Sequence, residues 1–530
     1  MTSPKNIFYL FAFLEGAAVM AIELLAAKML APYFGSGLYT WGSVIGITLV
    51  SLALGYYLGG ITADKFTNQN SLFWVVLFSS VFIILMPSIS KSLTIGFVSV
   101  DPIVAVIILS IILILPSLLL LGMVPVLLIR LLSEKVESSG RVTGIVYTVS
   151  TLGGIFSVFF MGFYIIPEFG LSIPAIIIGL ILGIISFFVL LSRGKIVVLI
   201  YFIIVAFAFY SVKQRKVHSN VKVLYQSEGL LGQLLLADIS ANGRNERILF
   251  VNRMGQTFIN INTGRSRWSY VDYLISVASA LPENSDVLLL GLGGGTIANQ
   301  LQQTLKFNVD AVELDERMVN IARRFFSLDV NTNVIIDDAR HYLESTEKTY
   351  DLIIFDVFKG EVPPAHVLSV ESFEKALTRL NPEGFMIVNF NGFLNGDAGK
   401  AGRSLYKTLE ATGLITKILP TYEEEKYRNN LFIAMQKQDL QGFKMKRGTV
   451  PNRVTLFKNT RLPLERQGEP VDIETLFINI GQLDLDDASV ITDDKPLLER
   501  YNHYAARIWR EEYNRNYTEM FLEKGVPLFD

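Results

Sequence analysis

Four apolar runs in the second half of this 530-residue chain break off at residues able to do chemistry. The first ends in Gly291-Leu292-Gly293-Gly294-Gly295, the second at Glu313, the third at Asp337-Asp338 and the fourth at Asp356. Glycines let a ligand touch the backbone beside a helix N-terminus, where free N–H groups favour polar ligands. A carboxylate about 20 residues further on can accept both hydrogen bonds of a ribose diol. Thr296 occupies the position of the last glycine in G-x-G-x-x-G. The resulting G-x-G-x-G run points away from dinucleotides and towards ligands of the adenosylmethionine type.

These residues need a scaffold that gathers strand ends. DVLLLGLGGG, VDAVELD, NVIIDDARHYL, YDLIIFDVF and GFMIVNF read as strands, with helix-like TIANQLQQTL, ERMVNIARRFF and SVESFEKALTRL between them. Such alternation predicts a largely parallel sheet covered on both faces, a Rossmann-like α/β fold of the class I methyltransferase type. Ligands of such sheets bind at the carboxyl ends of the strands. Residues 222–262 read as a smaller β element, with KVLYQSEGLLGQLLLADIS and RILFVNRMGQTFIN joined by a turn at Asn242-Gly243.

The first 212 residues differ sharply. They carry 9 basic and 7 acidic side chains, out of 47 and 49 in the whole chain. Apolar stretches at about 7–31, 40–63, 72–90, 103–129, 142–166, 171–191 and 196–212 read as membrane spans, since crossing the hydrocarbon takes ~20 residues. The fourth holds Pro116 and Pro125 and is expected to kink or break; the seventh is short. Gly42, Gly46, Gly55 and Gly59 in the second span, and Gly144, Gly153 and Gly154 in the fifth, allow close helix approach. Glu15, Glu23 and Lys28 in the first span are costly in a bilayer. They read either as a polar site for a cationic substrate or as a packing ion pair.

A net charge of −2 without a basic run argues against nucleic acid as a partner, and the absence of cysteine removes disulfides and thiolate chemistry. Four histidines make a histidine metal cluster improbable, so no metal is expected. The chain divides by composition and pattern into a multi-pass membrane segment at 1–212, a linker and small β domain at 213–262, a nucleotide-binding α/β domain at 263–436 and a C-terminal extension at 437–530.

Across nearly its whole length the chain resembles the membrane-fused branch of the spermidine synthase (polyamine aminopropyltransferase) family. The likeness rests on FLEGAAVMAIELLAAKMLAPYFGSGLYTWG and GRVTGIVYTVSTLGG in the first half. In the second it rests on LYQSEGLLGQ, VNRMGQ, LLLGLGGGT, VELDERMV, DDARHYL, YDLIIFDVFKGEVPPAHVLSVESF and TDDKP. The resemblance implies that Gln233 and Gln256 line the nucleotide site with Gly291, Gly293 and Gly295. Glu313 would hold the ribose, Asp338 the adenine amino group with Asp337 alongside, and Asp356 would be the catalytic carboxylate. Tyr270, Asp272 and His366 fall where substrate-binding residues are expected. Three positions depart from the family pattern: Gly294 and Lys359 stand where relatives carry acids, and Tyr270-Val271-Asp272 replaces Tyr-His-Glu.

The implied reaction is aminopropyl transfer from decarboxylated S-adenosylmethionine to a polyamine or another amine. Methyl transfer from S-adenosylmethionine is the alternative, since the glycine at 294 would make room for a donor carboxylate. A polyamine transporter or sensor is the reading from a different class. Relatives are commonly dimers or tetramers, so a homo-oligomer is expected. The positive-inside rule with seven spans would leave the soluble half outside. Because adenosylmethionine-type donors are made in the cytosol, an even number of crossings with a cytoplasmic soluble half is expected instead.

Overall fold

The protein is described by a computed structural model covering residues 4–511, apart from 36, 66–68, 98–99, 134–137, 214–220, 230, 242, 359–362, 422–428 and 437–472. The residues 437–472 and 512–530 of the expected C-terminal extension, and Lys359, thus lie outside the described residues.

Among the described residues, six helical stretches are long and apolar enough to cross a membrane. They are α1 (Pro4–Phe34), α2 (Leu38–Lys65), α3 (Asn70–Leu93), α4 (Pro102–Leu132), α5 (Ser139–Phe160) with its continuation α6 (Ile166–Phe169), and α7 (Ser172–Ser192). A π-turn at Met161–Ile165 joins α5 to α6. The long α4 is not broken at Pro116 or Pro125 and packs against α2 and α3, as membrane helices do when neighbours support a proline. The small residues act where helices touch. A Cβ on Gly55 would lie 2.3 Å from Leu119 O of α4, and one on Gly153 would lie 2.1 Å from Phe13 O of α1. Gly42, Gly46 and Gly144 face open space instead. Glu15 is buried and accepts a hydrogen bond from Ser150 Oγ at 2.7 Å, which ties α1 to α5.

The seventh apolar stretch, Ile196–Val212, contains α8 (Ile200–Lys213) and spans roughly 26 Å at 1.5 Å per residue. It follows α3 in the same direction: Arg193 donates to Asn70, Tyr201 OH meets Ser80 Oγ at 3.2 Å, and Ser211 Oγ meets Ser88 Oγ at 2.5 Å. The soluble half rests on the far end of this bundle. Arg510 donates to Pro32 O at 2.9 Å, Arg507 pairs with Asp101 at 2.9 Å, and the Arg253 guanidinium lies 3.5 Å from the centre of the Tyr33 ring. The start of α1 and the soluble half therefore lie at opposite ends of the bundle, with six helices long enough to cross a membrane and the shorter α8 lying along α3.

The small β element is an antiparallel sheet in the order β1-β2-β3-β4, formed by β1 (Val221–Ser227), β2 (Leu234–Ala241), β3 (Arg244–Val251) and β4 (Met254–Asn260). The sequence reading ran β3 and β4 together. Asn252 and Arg253, at φ +47° and +67°, form a tight turn between them, which Asn tolerates better than most residues.

The larger sheet has the order β10-β11-β9-β8-β5-β6-β7. Its strands are β5 (Asp286–Leu290), β6 (Asn308–Glu313), β7 (Asn333–Ile336), β8 (Tyr350–Phe355), β9 (Leu380–Asn391), β10 (Ile415–Pro420) and β11 (Asn429–Met435). The first five are parallel, as expected, but β11 inserts antiparallel between β9 and β10, so the sheet is mixed. One face is covered by α9 (Ser269–Ala278), α10 (Thr296–Gln303) and α11 (Glu316–Phe325), through residues such as Leu274, Ile297 and Val319. The other is covered by α12 (Ala339–Ser345), α13 (Val370–Leu377) and α14 (Lys400–Ala411), through Leu343, Phe373 and Leu405. The short α15 (Leu498–Tyr501) packs on α14.

The chain has no cysteine, so single cysteines can report topology. Lys195→Cys and Glu347→Cys are expected to react with an impermeant maleimide from opposite faces of sealed vesicles. Labelling of both from one face would show that α8 does not cross.

Candidate active site

β5 lies between β6 and β8, and the chain crosses over in both directions from it. A crevice opens at such a switch point beyond the strand ends. Gly291 is the first residue into it, at φ +91°, with its N–H donating to Val312 O at 2.9 Å. A Cβ there would lie 2.2 Å from Asp356 O, so only glycine lets β5 end this close to the end of β8. Gly295, at φ +80°, caps α10, and a Cβ there would meet Leu328 at 2.7 Å. Its reason is therefore packing against the helix.

The crevice is a cavity of ≈ 270 Å³ lined by Gln256, Tyr270, Gly291, Gly293, Glu313, Asp337, Asp338, Asp356 and His366, nine of the expected residues. Gln233, Asp272 and Gly295 are not among its lining residues. Asp272 lies in the first turn of α9 and faces a separate groove with Arg265, Asn299 and Gln300, because two helical steps turn it to the face opposite Tyr270. Burial pushes its carboxyl up to about 6, with Arg265 opposing.

Each acid in the cavity has a distinct setting. Glu313 Oε2 accepts from Leu292 N at 3.1 Å and Oε1 from Asp315 N at 2.9 Å, so it clasps the glycine loop to the end of β6. A carboxylate has about four lone-pair sites, which leaves capacity for two ribose hydroxyls. Burial raises the Glu313 carboxyl, and the backbone N–H groups oppose that rise. Asp338 Oδ1 caps α12 by accepting from Arg340 N at 2.9 Å, while Oδ2 lies 3.3 Å from His366 Nε2. Asp337 holds the ring of His341 at 2.7 Å, and that hydrogen bond raises the imidazole's affinity for a proton.

Asp356 follows the last residue of β8. Its Oδ1 accepts from Asn389 Nδ2 at 2.6 Å and its Oδ2 from Tyr270 OH at 3.3 Å. Burial pushes its carboxyl up to about 6, with both hydrogen bonds pulling the other way. Asn389 is itself buried in β9 and is held by Asn429 of β11, which also reaches Asn391 and accepts from Thr421 Oγ1 at 3.0 Å. The sequence reading missed Asn389 and Asn429. The available signal was a polar residue amid the apolar runs MIVNF and NNLFI. It also missed Thr257, whose Oγ1 accepts from Gly294 N at 2.8 Å. A Cβ on Gly294 would meet Thr257 Cγ2 at 2.7 Å, so Thr257 fills the space an acidic side chain would need.

Five carboxylates line the cavity (Glu313, Asp315, Asp337, Asp338 and Asp356), and no Lys or Arg does so among the described residues. Such a cavity favours a cationic ligand over a phosphate.

Gly291→Ala is expected to destabilise the chain by about 2–4 kcal/mol, from backbone strain plus the clash with Asp356. Gly413→Ala, at φ +82° with nothing within 4 Å, is expected to cost only the strain. Thermal unfolding of the two variants checks this, and equal melting temperatures would contradict it.

Residues 270–439 match the spermine/spermidine synthase domain. A probable polyamine aminopropyl transferase of Bifidobacterium longum is 28% identical over 193 residues, covering 36% of this chain and 42% of that protein, so the match spans less than half of the relative's length. A polyamine aminopropyltransferase 2 of Aquifex aeolicus is 22% identical over 71% of this chain and 77% of its own. Among solved structures, a probable spermidine synthase from Corynebacterium glutamicum is 18% identical, with a TM-score of 0.35 over 42% of this chain and 80% of that one. Six helices long and apolar enough to cross a membrane thus precede a region similar to the spermine/spermidine synthase domain.

Proposed function

We propose that the protein transfers an aminopropyl group from decarboxylated S-adenosylmethionine to an amine acceptor, a polyamine or a related amine. The observation that carries this reading is the cavity lined by five carboxylates, with Asp356 oriented by Asn389 and Tyr270 and paired with no cation among the described residues. Both substrates would be cationic, and the acids would attract them. Glu313 would take the ribose hydroxyls beside the glycine loop, and Asp338 the adenine amino group.

The sulfonium already activates its carbons, so the site has chiefly to align the nucleophile. The acceptor's unprotonated nitrogen attacks the propyl carbon bonded to sulfur. The C–N bond forms as the C–S bond breaks, and its electron pair passes to sulfur, releasing a thioether nucleoside. The surplus proton on nitrogen passes to Asp356, which must be ionised to receive it. Methyl transfer would use the same pocket. Thr257, filling the space beside Gly294, supports the donor that lacks a carboxylate. We place the soluble half on the cytosolic face, where such donors are made.

Asp356→Asn is expected to lower turnover 10²- to 10⁴-fold, as loss of a general base does, with donor binding retained. Activity should fall as pH drops through about 6, because the carboxylate form is lost there. Asn389→Leu removes a donor that favours the charged form, so the acid limb should move upward. Product mass spectrometry with each donor in turn separates the two transfers; methylated product alone would overturn the aminopropyl reading.

A further inference from the structure

The hydrogen bonds that orient Asp356 continue beyond Asn429. Asn389 donates to Asp356 Oδ1 at 2.6 Å, and the Asn429 amide donates both to Asn389 Oδ1 and to Asn391 Oδ1. Asn391 is the last residue of β9, and its carbonyl accepts from Asn502 Nδ2 at 3.1 Å. The next carbonyl, Gly392 O, accepts from Asn430 Nδ2 at 2.8 Å. A Cβ on Gly392 would lie 2.8 Å from Asn502 Oδ1, so a glycine is needed for the asparagine to sit this close. Asn502 and Asn430 are both wholly buried, and a buried amide that let go of its carbonyl would leave two polar groups unmatched. The end of β9 is therefore held in place from β11 on one side and from Asn502 on the other.

Asn502 directly precedes a helical run at 503–511 that lies against the membrane half. Residues 503, 507 and 510 fall on one face of that run, at the i, i+4, i+7 spacing, and each meets a different membrane helix. The His503 ring lies 5.0 Å from the ring of Tyr39 at the start of α2. Arg507 pairs at 2.9 Å with Asp101, the residue that caps α4. Arg510, only 4% exposed, donates to Pro32 O near the end of α1 at 2.9 Å. A continuous path of direct contacts thus joins the end of α1 to Asp356. It runs through the 503–511 helix to Asn502, and from there through Asn391, Asn429 and Asn389.

We propose that Asn502 and Arg510 are positioning residues for Asp356. Docking of the 503–511 helix on the membrane bundle sets Asn502, Asn502 sets the end of β9, and the asparagines of β9 and β11 set the carboxylate. The inference rests on the functional reading above, in which Asp356 takes the acceptor's proton. Neither Asn502 nor Arg510 is among the residues that line the cavity, so donor binding does not run through them. Their loss lets Asn389 drift from Asp356, and a weaker hydrogen bond to the charged form raises the carboxyl further. Tyr270, Glu313, Asp315, Asp337, Asp338 and His366 share the cavity with Asp356, and the substitutions below alter none of them.

The test is the pH profile of turnover by the full chain in nanodiscs, with decarboxylated S-adenosylmethionine as donor and putrescine or spermidine as acceptor. Wild-type turnover is expected to fall as pH drops through about 6. Arg510→Met and Asn502→Ala should each lower kcat roughly 3- to 10-fold and leave the donor KM within about twofold, as weakening one hydrogen bond to a charged group does. Each should also move the acid limb upward by about half a unit, the direction set by that weaker bond. Arg510→Lys keeps a donor for Pro32 O and should bring the limb back to its wild-type position. A residue that merely held the fold together would reduce the active fraction and leave the limb where it was. If Asn502→Ala does not fold, Arg510→Met and its lysine counterpart carry the test. Acid limbs that superpose on wild type would overturn the inference and leave the functional reading intact. No product from the wild type at any pH would remove the functional reading, and the inference with it.

Discussion

The site depends on one steric constraint: β5 must end between β6 and β8 without a side chain. Leu290 is the last residue of β5, and Gly291 turns directly against the carbonyl of Asp356. That close approach brings the end of β6 to one side and the end of β8 to the other, with Glu313 and Asp356 facing the same cavity. Substituting any larger residue would push these strand ends apart. The chemistry of the pocket is thus set by backbone geometry before any charge is considered.

Charge then follows from burial. Glu313 is kept in place by two backbone N–H groups, Asp338 by the first turn of α12, and Asp356 by a side-chain amide and a phenol. Among the described residues no lysine or arginine in the cavity neutralises any of these three, so the negative potential remains available to a ligand. The donors around Asp356 cannot release a cation's worth of charge, which leaves its carboxyl raised yet ionised near neutrality. The Asn389–Asn429 relay fixes its rotamer from the antiparallel strand β11, which gives that inserted strand a role at the site as well as in the sheet.

The membrane half meets the soluble half through a few specific contacts at the end of its helices. Arg510 on the carbonyl of Pro32 places a cation where helix carbonyls are left unpaired at a C-terminus. Arg507 on Asp101 and Arg253 on Tyr33 add two more points of attachment. The loop bearing Glu228 and Gln233 lies between this interface and the cavity wall.

The glycine run, Glu313, Asp337-Asp338 and Asp356 were legible because each follows a strand whose apolar pattern is strong and local. The membrane helices were legible for the same reason: length and hydrophobicity need no partner to be recognised. Asp272 was placed in the pocket beside Tyr270, yet the turn of α9 sends it into another groove, and Gly295 proved to serve packing. Asn389, Asn429 and Thr257 carry no local pattern; each acquires its role from a partner 30 or more residues away. By itself the sequence determined which segments are apolar, which alternate and where acids end strands, since these follow from hydrophobic periodicity along the chain. Only the tertiary structure decided which acids share one cavity, that β11 runs antiparallel, and that α8 carries the chain back to the far end of the bundle. Those outcomes depend on packing between segments distant in sequence, and periodicity does not encode it.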